Sequence, residues 1–299
     1  MVEATQHTAV EDDHLAQALA RYTTSQRASR QRVWRARLGR QVLTGTAAVY
    51  LLVVLLAPLA AIAYELVSMG IGQALGSLLQ PEALSALRMS LVLTSLSVVI
   101  NTVVGTSLAL AIVRHRFPLR GVVNALADLP LAVSPVMVGL AFLLLFGRDG
   151  WFGTILEQLD IKVVFAFGGL LLGTLFVALP YTVREVAYVL DELGTSEEEA
   201  AATLGASPGQ IFWRVTLPNI RFALGYGVLM TLARSMGEFG AVLVLGGSIS
   251  GQTQTATTFI HDAIDERATG SAYGMAVLLA LFSIGLLLAL EWAKRRRTL

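Results

Sequence analysis

Residues 89–113 read Met89-Ser-Leu-Val-Leu-Thr-Ser-Leu-Ser-Val-Val-Ile-Asn-Thr-Val-Val-Gly-Thr-Ser-Leu-Ala-Leu-Ala-Ile-Val113, bounded by Arg88 and Arg114. No charge interrupts the run. A helix needs about 20 apolar residues to cross the hydrocarbon of a bilayer. The apolar residues are continuous rather than alternating, which excludes a closed β-barrel. The stretch therefore predicts a membrane-spanning helix.

Five further runs repeat the pattern, at about 41–64, 129–147, 163–183, 222–247 and 268–290. The runs at 41–64, 129–147, 163–183 and 268–290 are bounded by charged residues, and Arg234 and Glu238 interrupt the run at 222–247. The predicted fold class is an all-α integral membrane protein with six transmembrane helices. The composition agrees: 55% of the 299 residues are hydrophobic and 14% charged, whereas soluble domains carry about 25% charged residues. The net charge of +1 gives no field that would attract nucleic acid. There is no cysteine, so disulfides, thiolate metal sites and a cysteine nucleophile are excluded. His7, His14, His115 and His261 have no metal-ligand spacing. No cofactor is expected.

Residues 1–40 form a polar, basic N-terminal extension ahead of the domain 41–299. Ala61-Ile62-Ala63 mimics a cleavage site, but the run from Gln41 to Tyr64 exceeds the roughly 7–15 apolar residues of a signal peptide. A retained span is expected. A surface helix over 11–22 and a disordered tail are both compatible with the extension, and its arginines suit anionic lipid headgroups.

An even number of spans puts both ends on one side. That side carries 17 of the basic residues, including Arg21 to Arg40, Arg114, Arg116, Arg120, Arg184, Arg214, Arg221 and Lys294 to Arg297. The other side carries 4: Arg88, Arg148, Lys162 and Arg267. The positive-inside rule predicts both termini in the cytoplasm, with 114–128 and 184–221 as cytoplasmic loops. Pro58, Pro130, Pro135 and Pro180 lie in or beside the apolar runs and bend or break helices there. Gly169 and Gly173 have the spacing that permits close helix approach.

The longest of these loops contains Ser196-Glu-Glu-Glu-Ala-Ala-Ala-Thr-Leu-Gly205-Ala-Ser-Pro-Gly-Gln-Ile-Phe-Trp-Arg-Val-Thr-Leu-Pro218. Ser196 with Glu199 and Ser207 with Gln210 both have capping-box spacing, and Pro208 suits a first helical position. Gly205 suits a left-handed helix stop. Two short helices joined by a glycine turn are expected. The first should present Ala200, Ala201 and Ala202, the second an exposed stripe of Ile211, Phe212 and Val215. Such an apolar knob should dock into a partner.

Glu199-Ala200-Ala201, then Gly205, then Val215-x-Leu217-Pro218 resembles the EAA loop of ABC-importer permeases, with valine in place of the usual isoleucine. The resemblance implies a type I permease fold and a coupling helix, at about 195–218, that fits a groove on a dimeric ATPase. It implies coupling roles for Glu199, Ala200, Ala201, Gly205, Ala206, Phe212, Leu217 and Pro218. Leu179-Pro180-Tyr-Thr-Val-Arg184-Glu185, Ala233-Arg234-Ser-Met-Gly237-Glu238-Phe239-Gly240 and Asp128-Leu-Pro130-Leu-Ala-Val-Ser-Pro135 are similar to the sulfate and molybdate permeases. Ser248-Ile-Ser-Gly251-Gln-Thr-Gln-Thr255 leans toward the W-type permeases of sulfate/thiosulfate importers. The partners then implied are a similar T-type permease, two copies of the ATPase and an extracytoplasmic sulfate-binding protein, in a bacterial inner membrane.

Neither lysine, Lys162 or Lys294, lies in a G-x-x-x-x-G-K-[ST] loop, so ATP must be bound by a partner. No G-x-S-x-G or H-E-x-x-H motif supports an intramembrane hydrolase. A molybdate or tungstate permease acting as a homodimer remains an alternative. A secondary transporter is a further one, although no internal repeat is visible. Arg234 and Glu238, four apart on one helix, are read either as a mutual ion pair or as part of an anion path.

Overall fold

The computed structural model describes residues 41–68 and 70–295. The extension 1–40, with the helix expected at 11–22, lies outside them, as do Arg296 and Arg297. The chain divides into two units, 1–63 and 64–299. Helix α1, Gln41–Ser68, is long and apolar enough to cross a bilayer.

In the second unit, α2 (Ile71–Leu78) precedes α3 (Pro81–Arg114). Then come α4 (Arg120–Ala132), α5 (Pro135–Phe146), α6 (Gly153–Gln158) and α7 (Phe167–Leu193). A two-helix loop follows, formed by α8 (Ser196–Thr203) and α9 (Pro208–Ile211). The chain closes with α10 (Leu217–Met236), α11 (Gly240–Gly246), α12 (Ala256–Asp265) and α13 (Thr269–Arg295). Among the described residues α1, α3, α7 and Thr269–Trp292 of α13 qualify individually as spans. Six spans result when each of two bent helix pairs is taken as one.

The runs expected at 129–147 and 222–247 fall on the two bent pairs. The segment 129–147 begins in the last turn of α4 and continues as α5 after a bend of 116°. Proline chemistry explains the break. Pro135 is the first residue of α5, where its missing N–H costs nothing, and Ser134 before it is held extended at φ −62°, ψ 137°. The second pair bends by 53° between Met236 and Gly240.

Three helices, α3, α7 and α10, carry the centre of the bundle. Small residues set their spacing. A Cβ at Gly105 of α3 would lie 3.0 Å from the Thr182 side chain of α7, and one at Gly227 of α10 would lie 3.2 Å from the Thr182 Cα. Ala109, Ile112, Val183, Val186, Leu190 and Ile220 pack beside this contact. Two polar pairs lie inside: the Thr182 and Thr231 hydroxyls are 2.8 Å apart, and Asn101 Nδ2 donates to the Leu175 carbonyl at 3.2 Å. Of the expected Gly169–Gly173 step, only Gly173 faces another helix, with Leu245 Cδ1 2.9 Å from its virtual Cβ. Gly169 closes on the Val163 carbonyl of its own preceding loop.

The predicted loop 184–221 is shorter than its charges suggest. Helix α7 continues through Arg184 to Leu193, and α9 runs almost without interruption into α10. Between α9 and α10 the backbone makes a π turn, Phe212–Thr216, and Leu217 N–H reaches back five residues to the Phe212 carbonyl. Pro218 lies one residue further on and has no N–H to continue a regular ladder; the wider turn at its entrance accommodates it.

Candidate functional site

Helix α8 and α9 form the knob expected from the sequence, and their local chemistry is partly different from the expectation. The second capping box is present: Ser207 N–H donates to Gln210 Oε1 at 2.8 Å, and Gln210 N–H to Ser207 Oγ at 3.4 Å. The first is not. Thr195 is the N-cap of α8, one residue before Ser196, and makes no side-chain cap. Thr195 Oγ1 donates instead to the Glu199 carboxylate at 2.6 Å. Gly205 has φ +84°. Its N–H donates to the Ala202 carbonyl, and that of Ala206 to the Ala201 carbonyl. That is the Schellman arrangement, which satisfies the last carbonyls of α8 through a left-handed residue.

The apolar surface also differs. Ile211, Phe212 and Val215 are half-buried rather than an exposed stripe, at the junction of α9 with the π turn. Leu204 and Trp213 protrude instead, 89% and 68% exposed. Trp213 meets Phe212 edge to face at 5.3 Å. Glu199, Ala200 and Pro218 are exposed, whereas Ala201, Ala206 and Leu217 are half-buried.

The three glutamates that open α8 have separate partners. Glu197 accepts from Asn219 Nδ2, and Glu199 from Thr195. Glu198 pairs with Arg114, the last residue of α3, Nε to Oε2 at 2.9 Å. Its other oxygen accepts from Thr216 Oγ1 at 2.8 Å. Arg114 and Thr216 are contacts that the sequence did not single out. Residues 84 apart leave no local signal.

Arg234 and Glu238 come together as one ion pair, Nη1 to Oε2 at 2.6 Å, with side chains 25% and 1% exposed. Glu238 Oε1 also accepts the Ala241 N–H at 3.0 Å. The carboxylate thus closes the bend between α10 and α11. A second charged lock joins α4 to α7, where Arg184 grips both Asp128 oxygens. Arg184 Nη1 also donates to Asn124 Oδ1 at 3.0 Å.

The segment 248–255 turns inward at Thr253, Gln254 and Thr255, which are buried. Thr253 Oγ1 donates to the Gly246 carbonyl at 2.6 Å, and Gln254 Nε2 to Asp262 at 2.6 Å. Ser248 also donates to Asp262. These groups brace the connection from α11 to α12. No cluster of three metal-ligating side chains occurs among the described residues.

The architecture matches solved ABC-transporter structures. A bacterial alginate ABC transporter, in complex with an alginate pentasaccharide-bound periplasmic protein, superposes with a TM-score of 0.72 at 17% identity, over 90% of this chain and 97% of that one. The MetNI methionine ABC transporter gives 0.54 at 19% identity, over 71% and 94%. The fold is that of a type I ABC-importer permease.

Residues 101–298 match the family of binding-protein-dependent transport system inner membrane components. The sulfate transport system permease protein CysW of Synechocystis sp. is 44% identical over 255 residues, 85% of this chain and 92% of the relative. CysW of Escherichia coli K12 is 41% identical over 77% and 79%. CysT of the same organism, also a sulfate transport system permease protein, is 36% identical over 81% and 90%. The chain belongs to the family of binding-protein-dependent transport system inner membrane components, as a multi-pass permease subunit whose ATP is hydrolysed by a separate ATPase.

Proposed function

We propose that this chain forms half of the translocation path for sulfate and thiosulfate, and that α8 and α9 couple it to the ATPase. The observation that carries the substrate is the 44% identity to a sulfate permease across 92% of that relative. The coupling role is supported by the compact geometry of the loop. A glycine turn, a closed capping box and three engaged glutamates hold two short helices in one arrangement, and they leave Leu204 and Trp213 bare. In this reading Glu199, Ala200, Ala201, Gly205, Ala206, Phe212, Leu217 and Pro218 shape the docking surface. Leu204 and Trp213 enter the ATPase groove as its apolar anchors.

The second permease is a similar, T-type chain, two ATPase copies complete the complex, and an extracytoplasmic binding protein delivers the anion. Both termini face the cytoplasm of a bacterial inner membrane, with 1–40 as a basic extension of the domain 41–299. Arg234 and Glu238 act first as a structural pair at the α10–α11 bend. The test is co-purification of the tagged chain with its partners, followed by measurement of ATP hydrolysis with candidate oxyanions. Recovery of an ATPase and a second permease, with stimulation by sulfate-loaded binding protein, is expected. A homodimer stimulated by molybdate would overturn the substrate and the partner together.

A further inference from the structure

Helix α8 is joined to α7 through Gly194, with φ +66°, and to α9 through Gly205, with φ +84°, and each glycine is by itself a weak tether. Something stronger must carry motion from α8 to the bundle. Arg114 is placed for it. Its Nη1 donates to the Leu190 carbonyl at 2.9 Å, and its Nη2 to the Gly194 carbonyl at 2.7 Å. Its Nε meets Glu198 at 2.9 Å. The two carbonyls belong to the C-terminal end of α7, where backbone acceptors have no intrahelical donor and a cation is favoured. Glu198 stands in the first turn of α8, where an anion is favoured. One guanidinium thus bridges the negative end of α7 and the positive end of α8 while its own backbone ends α3. The arginine side chain is 13% exposed and that of Glu198 21%, so water competes little. Through Thr216, Glu198 also holds the entrance of α10.

We propose that Arg114 is the positioning residue that makes α8 move as one body with α3 and α7, with Glu198 as its counter-ion. The inference rests on the reading of this loop as the ATPase-coupling element. Neither residue belongs to the apolar surface formed by Leu204 and Trp213, so removing the pair leaves the ATPase docked and loosens what docking pulls on. A lysine offers no planar fork and cannot reproduce all three contacts.

The complex is co-expressed, purified and reconstituted in proteoliposomes, with labelled sulfate taken up per ATP hydrolysed as the readout. Glu198→Gln and Arg114→Gln are expected to retain wild-type ATPase capture and to lose about tenfold in uptake per ATP, the factor equivalent to a pairwise coupling of about 1.4 kcal/mol. Arg114→Lys should fall between them and wild type, and the Arg114→Gln/Glu198→Gln double variant should be no worse than the poorer single one. If Arg114→Gln fails to reach the membrane, Glu198→Gln, which keeps both carbonyl contacts of Arg114, decides alone. A wild-type ratio for Glu198→Gln overturns the inference, and so does loss of ATPase capture, which would place Glu198 in the docking face. Trp213→Ala and Gly205→Val run in parallel. If both keep capture and uptake, the coupling reading of the loop has failed. If they lose them while Glu198→Gln transports normally, the role of Arg114 alone has failed.

Discussion

Gly205 shows how a single residue holds the proposed docking knob in shape. A Cβ built on it meets nothing within 4 Å, yet its φ is +84°. The restraint is therefore in the backbone. Side-chain bulk there would not by itself displace α9, because the surrounding space is open. A left-handed conformation costs a side-chain-bearing residue roughly 1–2 kcal/mol, and asparagine tolerates it best. Gly205→Asn should keep uptake close to wild type, whereas Gly205→Val should abolish it at near-normal membrane abundance. Labelled-sulfate uptake and membrane immunoblots make the comparison, and equal uptake by the two variants would contradict it. Glu199→Ala should be milder than Gly205→Val, since Glu199 bonds an exposed threonine rather than a buried partner.

The Arg234–Glu238 pair is read at the same scale. Taking one partner from a buried pair leaves an uncompensated charge and costs about 3–5 kcal/mol. Glu238→Gln should therefore lower the thermal stability of the purified complex. Arg234→Gln/Glu238→Gln should recover most of that stability, and with it uptake. A stable double variant that fails to transport would instead place Arg234 in the anion path.

Among the elements, α3, α7 and α10 depend on two glycines against one threonine. A branched side chain at Gly105 or Gly227 has to displace backbone or Thr182, and overpacking of this kind costs about 1–3 kcal/mol. Gly105→Val should lower membrane abundance and the melting temperature of the detergent-solubilised complex. Gly285→Val in α13 should leave both unchanged, because its virtual Cβ has no neighbour within 4 Å. Similar losses in both would mean that this packing is not what limits stability. Element scale is also where sequence reading reached its limit. The spans were legible because a continuous apolar run bounded by charges needs no partner to be recognised. The bends were half legible. Pro135 marks the break between α4 and α5, but the 116° between them is decided by what the two helices pack against. At the π turn before Pro218, Phe212 is half-buried and Trp213 exposed, a placement that no local pattern announces. In the loop, Ser207 with Gln210 was readable because Pro208 fixes the first helical position beside the box, whereas Ser196 with Glu199 has the same spacing but α8 starts from Thr195. Arg114 with Glu198 was not readable, since only the fold brings them together.

At the scale of the whole molecule, the asymmetry of basic residues predicts a direction across the membrane. The cysteine-free chain makes that direction measurable. Single cysteines at Asp160 and Gln252, both exposed, and at the half-buried Ser77 should react with an impermeant thiol reagent in intact cells. One at Thr195 should be spared until the membrane is opened. Labelling of Thr195→Cys from outside would invert the topology and remove the loop from the ATPase.

The membrane-spanning chain has a permease fold, no nucleotide-binding loop of its own and a two-helix loop that we propose docks on an ATPase. Transport must therefore follow ATP hydrolysis by a partner. The direct measurement is labelled-sulfate uptake into proteoliposomes containing the purified complex and its binding protein. Uptake should require ATP, stop with vanadate and be competed by thiosulfate. Vanadate-insensitive uptake, driven by an ion gradient in the absence of ATP, would contradict the account.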